Sequence, residues 1–203
     1  MPPEAGLKLP TPATLSAEIA STWEPKEPQG KPLLILLAGF QGSGKTTVAK
    51  ALQNEFGLTL ISSDVIRHHL FAKGFSFSRK FAEIVENTRD QLTRMAIEQG
   101  RPTVVDTNMT PQRIKNTLYM LKQNNQYALI KVLLNSSTDE LRRRVAVRLQ
   151  AEDAYTGTIE ELESSLETHG TLPEEVYDII CDTTDAAPDQ ITKTVVEKVK
   201  HLI

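Results

Sequence analysis

Short apolar runs alternate with amphipathic stretches along most of this chain. Five runs have the length of strands and lie at residues 33–38, 58–62, 102–106, 127–134 and 177–181. The first run, residues 33–38, is apolar at every position, which is typical of a strand that is covered on both faces of a parallel sheet. Strands that alternate with helices predict an α/β fold with a doubly wound sheet of five strands.

Helices are predicted between these strands because apolar residues recur there at helical spacing. They cover residues 46–56, 64–70, 79–99, 138–150 and 188–202, and a further helix opens at Pro111. Proline suits the first turn of a helix. Residues 151–171 are polar and rich in turn formers. With the end of the preceding helix they predict a mobile lid, which we place at about residues 142–171.

The first 32 residues differ in composition from the rest. They hold seven of the eleven prolines and few large apolar side chains. We therefore expect a flexible, proline-rich segment over residues 1–32, with a short helix over residues 14–23, followed by one domain over residues 33–203. Trp23 would pack on that domain or serve as an anchor for a partner, and packing is the commoner fate of such a residue.

Charge and composition exclude several classes of protein. The net charge of -3 and hydrophobic content of 39% fit a globular protein better than one that coats nucleic acid along its length. The single cysteine, Cys181, excludes an internal disulfide and a cysteine-rich zinc site. The longest apolar run is too short to cross a bilayer, and the first residues lack the pattern of a signal peptide. We therefore expect a cytoplasmic protein without a membrane partner.

A glycine-rich stretch, Gly39-Phe40-Gln41-Gly42-Ser43-Gly44-Lys45-Thr46, joins the first strand to the first helix of the sheet. Its spacing is that of a phosphate-binding loop, in which backbone N–H groups converge on phosphate oxygens at the positive end of a helix. Lys45 would supply charge to the β- and γ-phosphates, and the Thr46 hydroxyl would ligate Mg²⁺. A glycine-rich turn that binds nothing is the weaker alternative, since strand and helix both match. The predicted phosphate site comprises Gly39, Gln41, Gly42, Ser43, Gly44, Lys45, Thr46 and Thr47.

Two aspartates end the strands beside this loop. Asp64 follows the second strand and Asp106 ends the third, at the sheet edge where doubly wound folds bind ligands. Phosphoryl transfer needs Mg²⁺, cations on the transferred charge, and a carboxylate that orients or deprotonates an acceptor hydroxyl. The two aspartates can share these tasks, and Asp106 can reach the metal or fix Thr46. The alternatives are a helix N-cap for Asp64 and a turn residue for Asp106.

Basic residues near these carboxylates complete the candidate site. Arg67 lies one helical turn after Asp64 and can hold a phosphate of the acceptor. Arg144 and Arg148 are four residues apart, so they share a helix face and can close together on a polyphosphate. A solvated basic face is the alternative for these arginines. The predicted acceptor groove is lined by Arg67, Asp106, Asn108 and Arg113.

The phosphate loop, residues 63–67, residues 106–113 and the arginine pair together resemble the AAA-type small P-loop kinases. Within these, they are most similar to the 5′ polynucleotide kinase domain of phage and bacterial end-repair enzymes. The resemblance covers about residues 33–200. It implies a three-layer fold, a parallel sheet of order 2-3-1-4-5, and ATP with Mg²⁺ as cofactors. It also implies a catalytic base at Asp64, an acceptor contact at Arg67, a site-organising role for Asp106, and lid arginines at Arg144 and Arg148.

We predict from these features an ATP-dependent phosphotransferase with a hydroxyl acceptor. A 5′-hydroxyl nucleic acid end is the leading acceptor by resemblance. A small metabolite is the alternative, because gluconate, shikimate, antibiotic and nucleotide-sugar kinases share this frame. A nucleotide-switched binding module remains open as a different class, whereas the Asn-Lys-x-Asp motif that reads guanine is absent from the sequence. The acceptor and the oligomeric state do not follow from the sequence.

Overall fold

Five parallel strands form one sheet in the computed structural model, which describes residues 8–24, 31–76, 78–107, 111–122, 126–150, 158–170 and 172–203. The strands are β1 (Leu33–Ala38), β2 (Thr59–Ser62), β3 (Thr103–Asp106), β4 (Ala128–Asn135) and β5 (Ile179–Asp182). All neighbouring strands pair in parallel, and their order is β2-β3-β1-β4-β5. The predicted fold class and strand order are confirmed.

Eight α-helices accompany the sheet within the described residues. They are α1 (Pro12–Ala20), α2 (Lys45–Phe56), α3 (Ser63–Ala72), α4 (Arg79–Glu98), α5 (Pro111–Leu121), α6 (Thr138–Gln150), α7 (Ile159–His169) and α8 (Pro188–Leu202). The bounds of α6 and α8 are those that the sequence predicted. One turn of 3-10 helix, Glu174–Val176, was not predicted.

The sheet is covered on both faces, which explains the unbroken apolar run of β1. Every residue of β1 is buried. Leu34, Leu36 and Ala38 belong to the core that includes α3 and α4. Leu33, Ile35 and Leu37 belong to the core beneath α2 and α8. Successive side chains of a strand point to opposite faces, so a central strand between two helical layers needs apolar residues throughout.

The described part of the N-terminal segment packs on the domain through α1. Leu15 is fully buried in the core shared with α4. Glu18 accepts hydrogen bonds of 2.6 Å from Lys73 of the α3 C-cap. The Trp23 ring lies 5.1 Å from the guanidinium carbon of Arg101, in cation–π contact, which confirms that Trp23 packs on its own domain. The boundary predicted at residue 32 stays a prediction.

The polar strand ends meet at one edge of the sheet. The register of β1 with β3 pairs Leu37 with Asp106, and that of β2 with β3 pairs Ser62 with Asp106. The loop after β1 and the start of α3 therefore lie on either side of Asp106. Among the helices described, none is both long and apolar enough to cross a bilayer.

Candidate active site

The loop between β1 and α2 has the backbone that a phosphate-binding loop requires. Gly39, Gly42 and Gly44 have φ angles of 141°, 90° and 92°, values that favour glycine. The space around them differs. A Cβ added to Gly39 would lie 2.4 Å from the carbonyl oxygen of Leu134, whereas one added to Gly44 would meet nothing within 4 Å. Close packing against β4 therefore fixes the start of the loop.

Replacing Gly39 by alanine is expected to destabilise the protein by at least about 2 kcal/mol, because backbone strain adds to a clash with a buried carbonyl. Gly44→Ala is the matched control, since it carries the strain without the clash and should cost about 1 kcal/mol. Urea titration of both variants measures the difference. Equal losses in the two variants would contradict the packing argument.

Lys45 starts α2 inside the cleft. Its Nζ donates a hydrogen bond of 2.8 Å to the carbonyl oxygen of Phe40 in the same loop. Burial lowers the pKa of the Lys45 ammonium, and the carboxylates of Asp106 and Asp64 oppose that shift. Its charge is therefore poorly compensated without a ligand, and an anion in the loop would restore the balance.

Asp106 lies at the centre of the site and is 4% exposed. Its Oδ2 accepts hydrogen bonds from the Thr46 hydroxyl at 2.9 Å and from the Ser62 hydroxyl at 3.3 Å. Burial raises the pKa of this carboxyl, and the neighbouring Lys45 opposes the rise. Sequence reasoning assigned no role to Ser62. The sequence feature that could have indicated a role for Ser62 is its position at the end of β2, the strand that pairs with β3.

Thr46 and Asp106 fit the demands of Mg²⁺. Both present hard oxygen atoms beside the phosphate loop. Mg²⁺ usually takes only one or two protein ligands and completes its shell with water and phosphate oxygens. In the described portion of the chain no group of three or more His, Cys, Asp or Glu side chains could enclose a metal. A metal here would need a bound nucleotide to complete its coordination.

Asp64 faces the cleft from the first turn of α3. The N-cap of this helix is Ser62, whose hydroxyl accepts from the backbone N–H of Asp64 at 3.2 Å, so capping is not the role of the Asp64 side chain. Arg67 donates through Nη1 to the Asp64 carboxylate at 2.5 Å. Both side chains line the same cleft as Lys45. The ion pair orients the carboxylate toward that cleft.

The predicted pair of lid arginines has two different environments. Arg144 donates to the carbonyl oxygens of Gly42, Thr183 and Thr184 and to the Glu140 carboxylate. Arg148 makes no hydrogen bond or ion pair with the described residues, yet it lines the cleft and its charge contributes to lowering the pKa of Lys45. Arg144 therefore ties α6 to the phosphate loop and to the end of β5, and Arg148 is available to a ligand.

The far side of the cleft is formed by α4 and α5. Arg113 pairs with Glu86 across these helices, and the buried Arg89 donates to the Thr107 hydroxyl at 3.1 Å. Asn108, a predicted acceptor residue, lies outside the described residues. Sequence reasoning missed Glu86 and Arg89. The available signal was a charged residue, Arg89, on the apolar face of a helix that also buries Val85 and Leu92.

One cleft of about 1010 Å³ connects all these groups. The phosphate loop and Lys45 lie between its two ends. One end is lined by residues 184–188 after β5, and the other by α3, α4 and α5. The volume is at the upper limit of ordinary ligand sites and suits two substrates side by side.

These features define an α/β domain with a kinase-like P-loop fold. A model of the AAA domain family matches residues 34–171, which is more than half of the chain. The chain belongs to this family. P-loop kinases use ATP with Mg²⁺, so the predicted cofactors agree with the family. The narrower resemblance to polynucleotide kinases stays a prediction, as does the lid, part of which lies outside the described residues.

Among curated proteins, the cytidylate kinase of Pyrobaculum aerophilum is similar to this chain. The two are 28% identical over 121 residues, which are 57% of this chain and 60% of that protein. The chain therefore spans less than two thirds of the length of this relative.

Three solved structures share the fold. A protein from Chloroflexus aurantiacus has a TM-score of 0.68 at 21% identity and covers 85% of this chain and 99% of its own. The APS kinase CysC of Mycobacterium tuberculosis, in complex with AMPPNP and APS, has a TM-score of 0.60 at 18% identity. The match covers 85% of this chain and 99% of the APS kinase chain. A gluconokinase from Sinorhizobium meliloti has a TM-score of 0.55 at 17% identity. The match covers 86% of this chain and 95% of the gluconokinase chain.

Proposed function

We propose that this protein is an ATP-dependent phosphotransferase that transfers the γ-phosphoryl group to a hydroxyl acceptor. The observation that carries the proposal is the position of Asp64, which lies across one cleft from the phosphate loop and within electrostatic range of Lys45. A nucleotide held by the loop would present its terminal phosphate to that carboxylate. A module that only binds nucleotide has no need of such a group.

The donor side would bind and neutralise the triphosphate. The loop N–H groups and Lys45 would hold the β- and γ-phosphates, and Thr46 and Asp106 would hold Mg²⁺. When bound, Mg²⁺ would supply positive charge that offsets the negative charge developing during transfer. Arg148, which has no partner in the described structure, would add a cation from α6.

The acceptor side would activate the nucleophile. The Asp64 carboxylate would accept the proton of the acceptor hydroxyl. The hydroxyl oxygen would bond to the γ-phosphorus as the bond between that phosphorus and the leaving oxygen of ADP breaks. Arg67 would keep the carboxylate oriented through its ion pair. The products are then ADP, the phosphorylated acceptor, and a proton that leaves Asp64 for solvent.

The relative named as a cytidylate kinase raises a second candidate, a phosphate acceptor. A phosphate oxygen is already ionised near neutral pH and needs no base, whereas a hydroxyl does. Asp64 in the acceptor half therefore favours the hydroxyl. Two kinds of hydroxyl acceptor are consistent with this site: a 5′-hydroxyl nucleic acid end and a small metabolite. The gluconokinase of the same fold supports the second.

Transfer from γ-labelled ATP tests the proposal. The panel contains a 5′-hydroxyl oligonucleotide, gluconate, shikimate and cytidylate. We expect label in a hydroxyl acceptor. Transfer to cytidylate alone would move the assignment to a phosphate acceptor. If no acceptor is labelled and partner binding still follows ATP, a nucleotide-switched module is the better description.

The two arginines of α6 are expected to respond differently to substitution. Arg148→Ala should lower kcat by about 10²- to 10³-fold with little loss of stability, because it removes a cation that would stabilise the negative charge on the transferred phosphoryl group. Arg144→Ala should lower stability by about 1–3 kcal/mol, because it removes a donor from the partly buried carbonyl oxygens of Gly42 and Thr183. Arg142→Ala is the control, since its exposed pairs with Glu163 and Asp139 lie outside the cleft. Kinetics and urea titration of all three variants measure kcat and stability separately. A large loss of stability in Arg148→Ala would contradict the different roles given to the two arginines.

A further inference from the structure

We propose that the acceptor carries an oxyanion, a phosphate or a carboxylate, and that Arg89 and Arg113 bind this group at the α4–α5 end of the cleft. The inference rests on the proposed function and specifies its acceptor. It separates acceptors that carry a negative group from neutral sugars and alcohols.

The position of Arg89 is the first argument. Its side chain is 5% exposed, on a helix face that otherwise packs into the core. With the described residues its guanidinium makes three hydrogen bonds, one to Thr107 and two to a single oxygen of Asp90. A guanidinium has five N–H donors in a planar fork, so these three bonds leave donors for a ligand. The side chain also lines the cleft. A buried cation that reaches a cleft in this way is suited to a bound anion.

A second guanidinium stands beside the first. Arg113 lines the same end of the cleft from α5, and burial, followed by the charge of Arg89, lowers the pKa of Arg113. Two like charges held together in a partly buried place are unfavourable unless an anion lies between or beside them. Glu86 and Asp90 supply part of this compensation to Arg113, but their side chains are 53% and 52% exposed.

Guanidinium groups outnumber carboxylates on the cleft surface at the α4–α5 end. Arg89 and Arg113 line this end together with one carboxylate, that of Glu86, and Asp90 pairs with Arg89 at 2.7 Å. Asp90 lines the small cavity behind Arg89 and does not line the cleft. α4 also contributes the apolar side chains of Ala82 and Val85 to the cleft lining. The α4–α5 end therefore fits the negatively charged group of an acceptor.

Matched acceptor pairs test this subsite. Thymidine 3′-monophosphate and thymidine share the same 5′-hydroxyl, and the open-chain gluconate and glucitol form a second pair, so the two pairs also distinguish phosphate from carboxylate. The wild-type protein should prefer the charged member of at least one pair. Arg113→Gln should raise KM for that acceptor by about 10- to 100-fold and leave KM for its neutral partner and for ATP unchanged. Glu86→Gln should lower KM for the charged acceptor several-fold, because Arg113 loses its competing carboxylate.

Controls come from the same two helices. Lys115→Gln on α5 and Arg94→Gln on α4 each remove one positive charge from an exposed position that does not line the cleft, and they should leave every KM unchanged. If Arg89→Gln fails to fold, Arg89→Lys keeps the charge while losing the planar fork and should still raise KM. Equal use of charged and neutral acceptors, or an equal rise of both KM values in Arg113→Gln, would overturn the inference.

A binding measurement separates failure of the inference from failure of the proposed function. Calorimetric titration of thymidine 3′-monophosphate and gluconate into the protein with AMPPNP needs no transfer. Absence of transfer, with anion binding that is lost in Arg113→Gln, would defeat the proposed function and leave the subsite in place. Transfer that ignores the anion would defeat the subsite alone.

Discussion

Replacing Asp64 by asparagine is expected to lower kcat for a hydroxyl acceptor by roughly 10²- to 10⁴-fold, the usual contribution of a positioned general base. Asparagine has nearly the same shape but cannot take the proton of the hydroxyl. ATP binding should stay unchanged, because the phosphate loop lies on a different element. Transfer to a phosphate acceptor, if any occurs, should not fall, since the lost carboxylate would repel such a group. Steady-state kinetics with both acceptor types measure the difference.

Glu83→Gln serves as the control for this experiment. Its carboxylate lies on α4 outside the cleft and pairs with the exposed Arg79. It should not alter kcat, which distinguishes the loss of a base from a general loss of negative charge. The Arg67–Asp64 pair is partly exposed, so its loss should change the melting temperature little. Unchanged transfer in Asp64→Asn would exclude Asp64 as the base. Unchanged turnover of ATP together with partner binding that still follows ATP would favour a nucleotide-switched module.

Replacing Lys45 by methionine is expected to lower kcat by about 10²- to 10³-fold and to weaken ATP binding, because the loop loses the charge that contacts the β- and γ-phosphates. The free energy of unfolding should change by no more than about 1 kcal/mol in the absence of nucleotide. Burial already disfavours the charged form of Lys45, as its lowered pKa indicates, so the ligand-free fold gains little from that charge. Calorimetric titration of ATP and urea unfolding measure the two effects separately.

Lys50→Met provides the matched control. Lys50 lies on the same helix but is exposed and outside the cleft, so its loss should alter neither ATP affinity nor kcat. If Lys45→Met strongly destabilised the ligand-free protein, the ammonium would have a structural role through the Phe40 carbonyl that exceeds its role toward nucleotide.

The phosphate loop illustrates how much of the site was visible in the sequence. Its glycine spacing predicted positive φ angles, and Gly39, Gly42 and Gly44 have them, whereas the close packing of Gly39 against β4 was not predicted. The alternation of strands and helices also predicted the fold class correctly. These features are local: they depend on the spacing of residue types within one or two elements. The strand order came from a family resemblance, and the family match supports that resemblance.

The arginines illustrate what the sequence could not give. Helical spacing placed Arg144 and Arg148 on one face, but it could not tell that carbonyl oxygens of the phosphate loop and of the residues after β5 occupy Arg144. From the sequence, Arg89 could not be distinguished from the other charged residues of a long amphipathic helix, because its contact with Thr107 depends on the fold. In each case the partner lies far along the chain.

The sequence by itself determined the sheet, its helical layers and the donor loop, because backbone geometry and hydrophobic period act over short distances. Only the tertiary structure decided that Ser62 and Thr46 share Asp106, that Arg148 lines the cleft, and that Arg89 joins Arg113 at one end of it. The physical reason is that hydrogen-bond partners, burial and summed charge depend on which elements pack together. The identity of an acceptor is determined by that packing.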